Sequence, residues 1–156
     1  HRPNKVDDPV NLKHLLEEIS NSAQGLPVVF PVHPRTRKVM QELKLSGKSE
    51  LHLTEPLGYL EFNYLVERAG AVITDSGGIT EETTVMSVPC MTLRNSTERP
   101  ETVTMGTNEL LGTDPGAIGP AMAKLLSGDW KKGTIPPLWD GHTAERIIEI
   151  ISKLSL

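Results

Sequence analysis

The sequence predicts an α/β fold in which helices cover both faces of a parallel β-sheet. Short apolar runs of strand length, clearest at 28–32, 71–74 and 90–93, alternate with segments of helical periodicity. Within these runs apolar and polar residues do not alternate, which is typical of strands buried on both faces. The pattern extends over all 156 residues, the size of one ordinary domain. We therefore expect residues 1–156 to form a single Rossmann-like domain.

Helix and strand signals follow each other along the whole chain. Asp8 followed by Pro9 is typical of a helix start, because the aspartate can cap the first turn and proline fits its first position. Thr143 is expected to cap the final helix in the same way. The expected order is a helix from Pro9, a strand at 28–32, a helix from Pro34, a strand at 51–53, a helix at 59–69, a strand at 71–74, a helix at 79–87, a strand at 90–93, a weaker strand at 109–111, a helix from Pro115 to Gly128 and a final helix after Thr143.

Some of these elements have side chains whose environment can be predicted. In the helix at 59–69 we expect Leu60 and Leu65 to face the core. Residues 129–140 contain two lysines, a glycine and a proline pair, and we expect them to be the most flexible segment. The final helix has an apolar stripe made of Ile147, Ile148, Ile151 and Leu154.

The composition excludes several classes of ligand and location. The net charge of −4 provides no long-range attraction for nucleic acid or an anionic membrane, so an anionic ligand has to be held by local donors. No apolar stretch reaches the roughly 18 residues that a membrane span needs. Cys90 is the only cysteine, so no disulfide forms within the chain and we expect a reducing, cytoplasmic location. The sequence has no His/Cys spacing typical of a metal site. Because it starts at His1 and not at a methionine, we expect the chain to be an excised piece of a longer protein.

The segment from Asp75 to Glu82 carries the strongest functional signal. It follows a predicted strand and opens a helix, where unpaired backbone N–H groups and the helix dipole attract an anion. Gly77 and Gly78 would let a phosphate approach the backbone closely, and Ser76 adds a hydroxyl donor. Glu82, one turn into the helix, could accept hydrogen bonds from two ribose hydroxyls. The alternative is a glycine turn whose acidic residues complement the helix dipole.

A second signal follows the next predicted strand, at Arg99. A guanidinium group suits bidentate contact with phosphate, and the loops after parallel strands lie at the same edge of a sheet. The alternative is a solvated arginine paired with Glu98 or Glu101. Two candidate loops after neighbouring strands favour a shared anion site.

Three further positions carry weaker signals. Phe62, near the start of its helix, could stack on a nucleobase or belong to the core face of that helix. His33, at a strand end before Pro34, could donate to a sugar or phosphate or have a structural role. Asp140-Gly141 precedes the final helix and is expected to be a capping turn, with a ligand role as the alternative.

Taken in order, these motifs resemble those of a known family. They are His1-Arg2-Pro3, Pro31-Val32-His33-Pro34, Glu55-Pro56-Leu57, Thr74-Asp75-Ser76-Gly77-Gly78-Ile79, Glu81-Glu82, Thr97-Glu98-Arg99-Pro100-Glu101 and Asp140-Gly141. The chain resembles the non-hydrolysing UDP-N-acetylglucosamine 2-epimerases over nearly its whole length, most specifically at 74–101. The resemblance implies the C-terminal half of a two-domain, GT-B-like fold. It also implies that an absent N-terminal domain supplies the acid/base carboxylates, and that the enzyme is commonly a homodimer.

The same resemblance implies an activity and its ligands. The family interconverts UDP-N-acetylglucosamine and UDP-N-acetylmannosamine by inversion at C2. UDP is eliminated to give a bound glycal and is then added back, and no metal or organic cofactor is implied. The implied catalytic residue is His1. The implied substrate-binding residues are Arg2, His33, Phe62, Ser76, Gly77, Gly78, Glu82 and Arg99.

These implied residues differ in the part of the ligand that they address. The segment 76–78 matches the donors to the diphosphate, Glu82 the ribose-binding carboxylate and Arg99 a phosphate-side arginine. Phe62 matches the aromatic residue beside uracil, and His33 a histidine near substrate or a regulatory ligand. Directly after His1-Arg2 the chain departs from the family, because His-Arg-Pro-Asn-Lys-Val-Asp replaces the commoner His-Arg-Arg-Glu-Asn beside Arg2.

Three alternatives to this interpretation remain. The C-terminal half of a GT-B glycosyltransferase usually shows two glutamates eight residues apart, whereas here Pro89 and Cys90 follow eight residues after Glu81 and Glu82. Hydrolysing epimerases tend to have Asn-Ser-Ser where this chain has Asp-Ser-Gly at 75–77. The third alternative is a free-standing UDP-sugar-binding or regulatory module. The coding sequence upstream would distinguish a fragment from a module.

Overall fold

Helices and parallel strands alternate along the chain, as the sequence predicts. A computed structural model describes residues 8–42 and 50–154. In chain order its elements are α1 (Pro9–Ser22), β1 (Val28–Pro31), α2 (Pro34–Glu42), β2 (Leu51–Thr54), α3 (Tyr59–Glu67), β3 (Val72–Thr74), α4 (Gly77–Val85), β4 (Cys90–Thr92), α5 (Pro100–Thr104), β5 (Asn108–Leu110), a 3-10 helix (Pro115–Ala117), α6 (Ile118–Leu126) and α7 (Thr143–Leu154). The α/β class is confirmed. The short helix α5 was not predicted.

The described strands form two parallel sheets. β1 pairs with β2, and β4 lies between β3 and β5 in a three-stranded sheet. Thr74 at the end of β3 is aligned with Thr92 at the end of β4. The sequence predicts one continuous sheet, whereas hydrogen bonds between the described strands stay within these two groups. Each strand has only three or four residues and therefore offers few ladder hydrogen bonds.

The helix boundaries follow the capping signals of the sequence. Asp8 caps α1, since its Oδ1 accepts hydrogen bonds from the backbone N–H groups of Val10 and Asn11 at 3.0 and 3.3 Å. At the last helix the prediction was one position off, because Thr143 is the first residue of α7. The turn before it is held by Asp140, whose Oδ1 accepts from the N–H of His142 at 3.0 Å.

The hydrophobic core consists of two clusters that α1 connects. Leu12 and Leu16 of α1 are buried in the cluster beside β1 and β2. Leu15 and Ile19, on an adjacent side of the same helix, pack against the cluster beside β4 and α6. The first cluster also contains Val32 and Met40, and the second contains Met91, Leu93, Ile118, Ala121, Met122 and Trp130.

The prediction that Leu60 and Leu65 of α3 face the hydrophobic core was wrong. Leu60 is 80% exposed and Leu65 is 36% exposed. The inward face of α3 contains Val66, which is buried, and Phe62, which is half-buried and lies one turn earlier. Residues four apart share a helix face, so turning Phe62 and Val66 inward leaves the leucines outside.

Two segments near the C-terminus differ from expectation in opposite ways. The apolar stripe of α7 is present but not covered, and no residue of this helix is buried among the described residues. Residues 129–140 were expected to be flexible, but two side chains anchor them. Nε1 of the buried Trp130 donates to the carbonyl of Thr107 at 2.8 Å, and Lys131 donates to the carbonyl of Val103.

Of the helices described, none is long and apolar enough to cross a membrane.

Candidate functional site

Two loops emerge side by side from the three-stranded sheet. β3 and β4 are parallel neighbours whose last residues, Thr74 and Thr92, are aligned. The turn at 75–78 follows β3, and the loop at 93–99 follows β4. In open α/β sheets, ligands bind beyond the carboxyl ends of the strands. The aligned strand ends therefore bring together the two strongest sequence signals.

The first loop leads directly into α4. Ser76 is its N-cap residue with extended backbone (φ −87°, ψ 131°), and its N–H donates to Thr74 Oγ1 at 3.0 Å. The Ser76 side chain makes no capping hydrogen bond within the described structure. The helix begins at Gly77, so the N–H groups of its first turn have no partner inside the helix and carry the positive end of its dipole.

A cation lies directly over this turn. A Cβ atom on Gly77 would lie 3.4 Å from Nη1 of Arg94 and 3.5 Å from Oε2 of Glu98. Arg94 donates to the Glu98 carboxylate through both terminal nitrogens, at 3.0 and 2.6 Å. Its side chain is 12% exposed, whereas that of Glu98 is 63% exposed. The hydrogen bond to Glu98 raises the pKa of Arg94, which therefore remains a fixed positive charge beside Gly77.

Arg99 approaches α4 from the same loop at a different point. Its Nε donates to Oε1 of Glu81 at 2.5 Å, and its side chain is 53% exposed. This hydrogen bond raises the pKa of Arg99. The alternative of a solvated arginine paired with a glutamate fits this geometry, with Glu81 as the glutamate in place of the predicted Glu98 or Glu101, and Nη1 of Arg99 also donates to the backbone carbonyl of Glu98 at 3.4 Å. Glu98 binds Arg94, and the carboxylate that Arg99 reaches is on α4.

The two faces of α4 differ in what covers them. Gly77 and Glu81 are four residues apart, so they share the face that receives both arginines. Gly78 and Glu82 share the adjacent face, where Gly78 is exposed and a Cβ on it would have no atom within 4 Å among the described residues. The half-buried Glu82 therefore lies one turn beyond an open surface.

The remaining predicted site residues lie elsewhere or outside the described ranges. His33 follows β1, in the two-stranded sheet, and its Nδ1 accepts from the N–H of Arg35 at 3.3 Å. Phe62 is half-buried on the Val66 face of α3 and is not among the residues of either core cluster, so both its base-stacking and its core interpretation stay predictions. His1 and Arg2 lie outside the described residues.

Asp140, the third weak signal, forms a capping turn rather than an open anion site. It accepts hydrogen bonds from the His142 N–H and from both terminal nitrogens of Arg146, and these donors lower the pKa of its carboxyl group. Within the described residues, no group of three or more His, Cys, Asp or Glu side chains is placed to hold a metal ion.

Arg94 is the site residue that sequence reasoning missed. A signal was available, because Arg94 is the first basic residue after a buried strand and its loop follows the strand next to β3. The Thr-Glu-Arg-Pro-Glu motif favoured Arg99 instead. Only the packed structure distinguishes them, since Arg94 is the arginine in contact with Gly77 and the less exposed of the two.

Known proteins with this sequence pattern are sugar-nucleotide epimerases. The chain is 38% identical to the UDP-N-acetylglucosamine 2-epimerase of Methanocaldococcus jannaschii, over 97% of this chain and 43% of that protein. It is 37% identical to the UDP-2,3-diacetamido-2,3-dideoxy-D-glucuronate 2-epimerase of Pseudomonas aeruginosa, over 99% of this chain and 43% of that protein. The chain thus spans less than half the length of these relatives.

The structural comparison and the family comparison agree with these relatives. The crystal structure of the M. jannaschii UDP-GlcNAc 2-epimerase in complex with UDP-GlcNAc and UDP superposes with a TM-score of 0.83 at 37% identity, covering 98% of this chain and 43% of that one. The model of the UDP-N-acetylglucosamine 2-epimerase family matches residues 1–152. A match over nearly the whole chain shows that this protein belongs to the UDP-N-acetylglucosamine 2-epimerase family.

Proposed function

We propose that residues 1–156 form the UDP-sugar-binding, C-terminal domain of an epimerase that interconverts UDP-N-acetylglucosamine and UDP-N-acetylmannosamine. The observation that carries the proposal is the convergence of the α4 N-terminus, Arg94 and Arg99 at the ends of two neighbouring parallel strands. Because the net charge of the chain is −4, an anionic ligand has to be held by local donors such as these. The family match supports a nucleoside diphosphate sugar as this anion.

The site would address the diphosphate through fixed donors. The first-turn N–H groups of α4 and the Ser76 hydroxyl belong to the helix start at Gly77, beside which Arg94 lies. A phosphate there would compete with the Glu98 carboxylate for the guanidinium, and Glu98 is exposed enough to move aside. Guanidinium groups bind phosphate and carboxylate with the same bidentate geometry, so this exchange keeps the charge of Arg94 paired.

The nucleoside would lie across the open face of α4. Glu82 is positioned one turn beyond Gly78 and would accept hydrogen bonds from ribose hydroxyls. Arg99 would contact the phosphate side, exchanging Glu81 for the ligand or bridging the two. Phe62 beside uracil and His33 near the sugar remain proposals that rest on the family alone, as do the catalytic-region role of His1 and substrate binding by Arg2.

The rest of the enzyme would come from an N-terminal domain that completes the cleft. Relatives are more than twice as long as this chain, which leaves room for a second domain of similar size. The exposed apolar stripe of α7 supports such a neighbour, because water-exposed isoleucines at 50–66% exposure on a single helix face favour burial against another surface. A homodimer and a cytoplasmic location complete the proposal. The buried, lone Cys90 is compatible with that location.

The reaction would proceed by elimination and re-addition. A base removes the proton on C2, the C1–O bond breaks, and UDP leaves with the electron pair to give a glycal. UDP then adds back to C1 while a proton is delivered to the opposite face of C2. In this scheme the described residues hold UDP throughout, and the proton-transfer groups belong to the other domain.

A second substrate has comparable support. The identity to the diacetamido-glucuronate epimerase is 37%, against 38% for the N-acetylglucosamine enzyme. Both names share the UDP group and inversion at C2, and the described donors address only the UDP part. Assays of the longer enzyme with both UDP-sugars, followed by proton exchange at C2, would decide between the two substrates.

We expect this chain to bind UDP and to show no comparable affinity for free N-acetylglucosamine. The donors named above address the diphosphate and ribose, whereas the sugar would lie between the two domains. Titration followed by NMR chemical shifts is the appropriate measurement, because half of the contacts are missing and binding will be weak. Equal affinity for UDP and the free sugar would contradict the proposed site.

Removing either of two side chains should weaken UDP binding without unfolding the chain. Arg99→Ala and Glu82→Ala each delete one charge-assisted contact, which corresponds to about tenfold to a hundredfold in affinity. Arg68→Ala is the matched control, because Arg68 is also 53% exposed and paired with a glutamate, Glu67, but lies after α3. If the three variants bind UDP equally well, Arg99 and Glu82 are surface residues without a role in binding.

A further inference from the structure

A line of buried hydrogen bonds connects β4 to the residue that carries the exposed guanidinium. The hydroxyl of Thr92 donates to Oδ1 of Asn108 at 2.6 Å, and Nδ2 of Asn108 donates to Oγ1 of Thr102 at 3.2 Å. The Thr102 hydroxyl donates in turn to the backbone carbonyl of Arg99 at 2.8 Å. Thr92, Asn108 and Thr102 are each at most 1% exposed. Buried polar groups are as a rule hydrogen-bonded, and here the partners are one another and the backbone, with the Cys90 thiol as a further partner of Thr92.

Every hydrogen bond in this line donates in the direction from Thr92 to Arg99. Thr102 has one hydroxyl proton, and because it is used on the Arg99 carbonyl, the Thr102 oxygen has to accept from its other neighbour. Only the amide NH2 of Asn108 supplies that proton, which leaves the amide oxygen to accept from Thr92. If the Asn108 amide were turned over, its oxygen would face Thr102 and accept the Thr102 hydroxyl proton. That hydroxyl would then no longer donate to the carbonyl of Arg99. An asparagine is thus required, since it is both donor and acceptor.

The end of this line holds the backbone of Arg99 in place. The Arg99 carbonyl also accepts from the Thr102 N–H at 3.1 Å, and the Arg99 N–H donates to Thr97 Oγ1 at 3.1 Å. Arg99 is the residue before α5, so its backbone sets the direction from which the side chain leaves the loop. From there the guanidinium reaches Glu81 on α4.

We propose that Asn108 and Thr102 are positioning residues, which orient Arg99 towards α4 and its ligand through the Arg99 carbonyl. The inference rests on the proposed UDP site, and it adds two buried residues that contact no part of the ligand. A helix as short as α5, with five residues, has little stability of its own and depends on such tertiary anchors. The direction of the Arg99 side chain therefore depends on Asn108, a residue of β5.

The test compares two buried threonines in this chain. Thr102→Val removes the hydroxyl from the line while keeping the shape of the side chain. Thr107→Val is the matched control, because Thr107 is 2% exposed and its hydroxyl lies 2.6 Å from the carbonyl of Val88 and 3.5 Å from that of Thr83, neither of which belongs to the loop that carries Arg99. Thr102→Val loses the hydrogen bond from Asn108 and the one to Arg99, and Thr107→Val loses those to Val88 and Thr83, so urea unfolding of both variants measures the stability that each loses. Thr102→Ser restores the hydroxyl and is the rescue variant.

The first readout is UDP affinity, measured by NMR titration of the complete chain. We expect Thr102→Val to bind UDP about three- to tenfold more weakly, and Thr107→Val and Thr102→Ser to bind within about twofold of the parent chain. Equal losses in Thr102→Val and Thr107→Val would overturn the positioning role, because the effect would then reflect stability alone. Unchanged affinity in Thr102→Val would overturn it as well.

The second readout requires no ligand and separates this inference from the proposed function. The Nε–H signal of Arg99 reports its hydrogen bond to Glu81. We expect Thr102→Val to shift or broaden that signal and Thr107→Val to leave it in place. If the parent chain binds no UDP while the signal responds as expected, the UDP site fails and the orientation of Arg99 stands. If UDP binds but the signal is the same in all variants, the positioning role is refuted.

Discussion

The purified 156-residue chain is expected to bind UDP and to show no detectable epimerisation of UDP-N-acetylglucosamine. Inversion at C2 needs one group to remove a proton and another to return a proton to the opposite face. Each positioned acid or base contributes about 10²–10⁴ in rate. Within the described structure, three glutamates beside the site are assigned to the UDP part of the ligand. Glu81 and Glu98 pair with Arg99 and Arg94 on the phosphate side until UDP displaces them, and Glu82 is assigned to the ribose, so none of the three is assigned to C2 of the sugar.

The open cleft adds a second reason for inactivity. With one domain only, water reaches the glycal and the departing UDP, and the electrostatic stabilisation that a closed site provides is lost. Formation of UDP-N-acetylmannosamine and exchange of the C2 proton with D2O are the direct measurements. UDP binding in the same sample is the control that shows the chain is folded. Turnover at an ordinary enzymatic rate would mean that the catalytic groups lie in this chain.

Trp130→Ala is expected to destabilise the fold severely, because it removes a large side chain from the core together with a buried hydrogen bond. The indole is 8% exposed, belongs to the cluster with Met91 and Ile118, and donates to the Thr107 carbonyl at 2.8 Å. Truncation of a buried aromatic side chain costs about 3–5 kcal/mol, a large part of the roughly 5–15 kcal/mol that stabilises a typical domain. For a chain of this length, that corresponds to a melting temperature lower by about 6–20 °C.

Two further variants separate the causes of this loss. Trp130→Phe retains most of the apolar volume but leaves the Thr107 carbonyl without its donor, so its loss should be intermediate, at about 1–3 kcal/mol. Lys132→Ala, on an exposed neighbour in the same segment, should change the free energy of unfolding by less than about 0.5 kcal/mol. Urea unfolding measures all three. Equal stability of Trp130→Ala and Lys132→Ala would show that the 129–140 segment does not dock on the core.

The elements that sequence predicted best are those with local signals. The start of α1 at Pro9 follows from capping by Asp8, and the strand at 90–92 follows from the short, mainly apolar run at 90–93. The turn at 75–78 was predicted to open a helix, and α4 does begin at Gly77. Each of these depends on residues within about four positions, so no information about the rest of the fold is needed.

The elements that sequence predicted poorly depend on contacts between distant residues. Leu60 was expected to be buried, but which face of α3 turns inward is decided by its neighbours in space. Residues 129–140 have the composition of a flexible loop, yet the carbonyls of Thr107 and Val103 hold Trp130 and Lys131. Neither partner could be read from the local pattern, because they lie 23 and 28 residues away.

The sequence by itself determined the α/β class, the family and the two loops that form the candidate site. These follow from periodicity and from short motifs, in which the chemistry of each residue and its spacing carry the information. Only the tertiary structure decided that Arg94 lies against Gly77, that Arg99 binds Glu81, and that a buried asparagine on β5 holds the Arg99 loop. The physical reason is the distance along the chain between the residues that determine each feature. A helix start is fixed by its own backbone, whereas the partner of a guanidinium depends on how two strands align and how closely their loops pack.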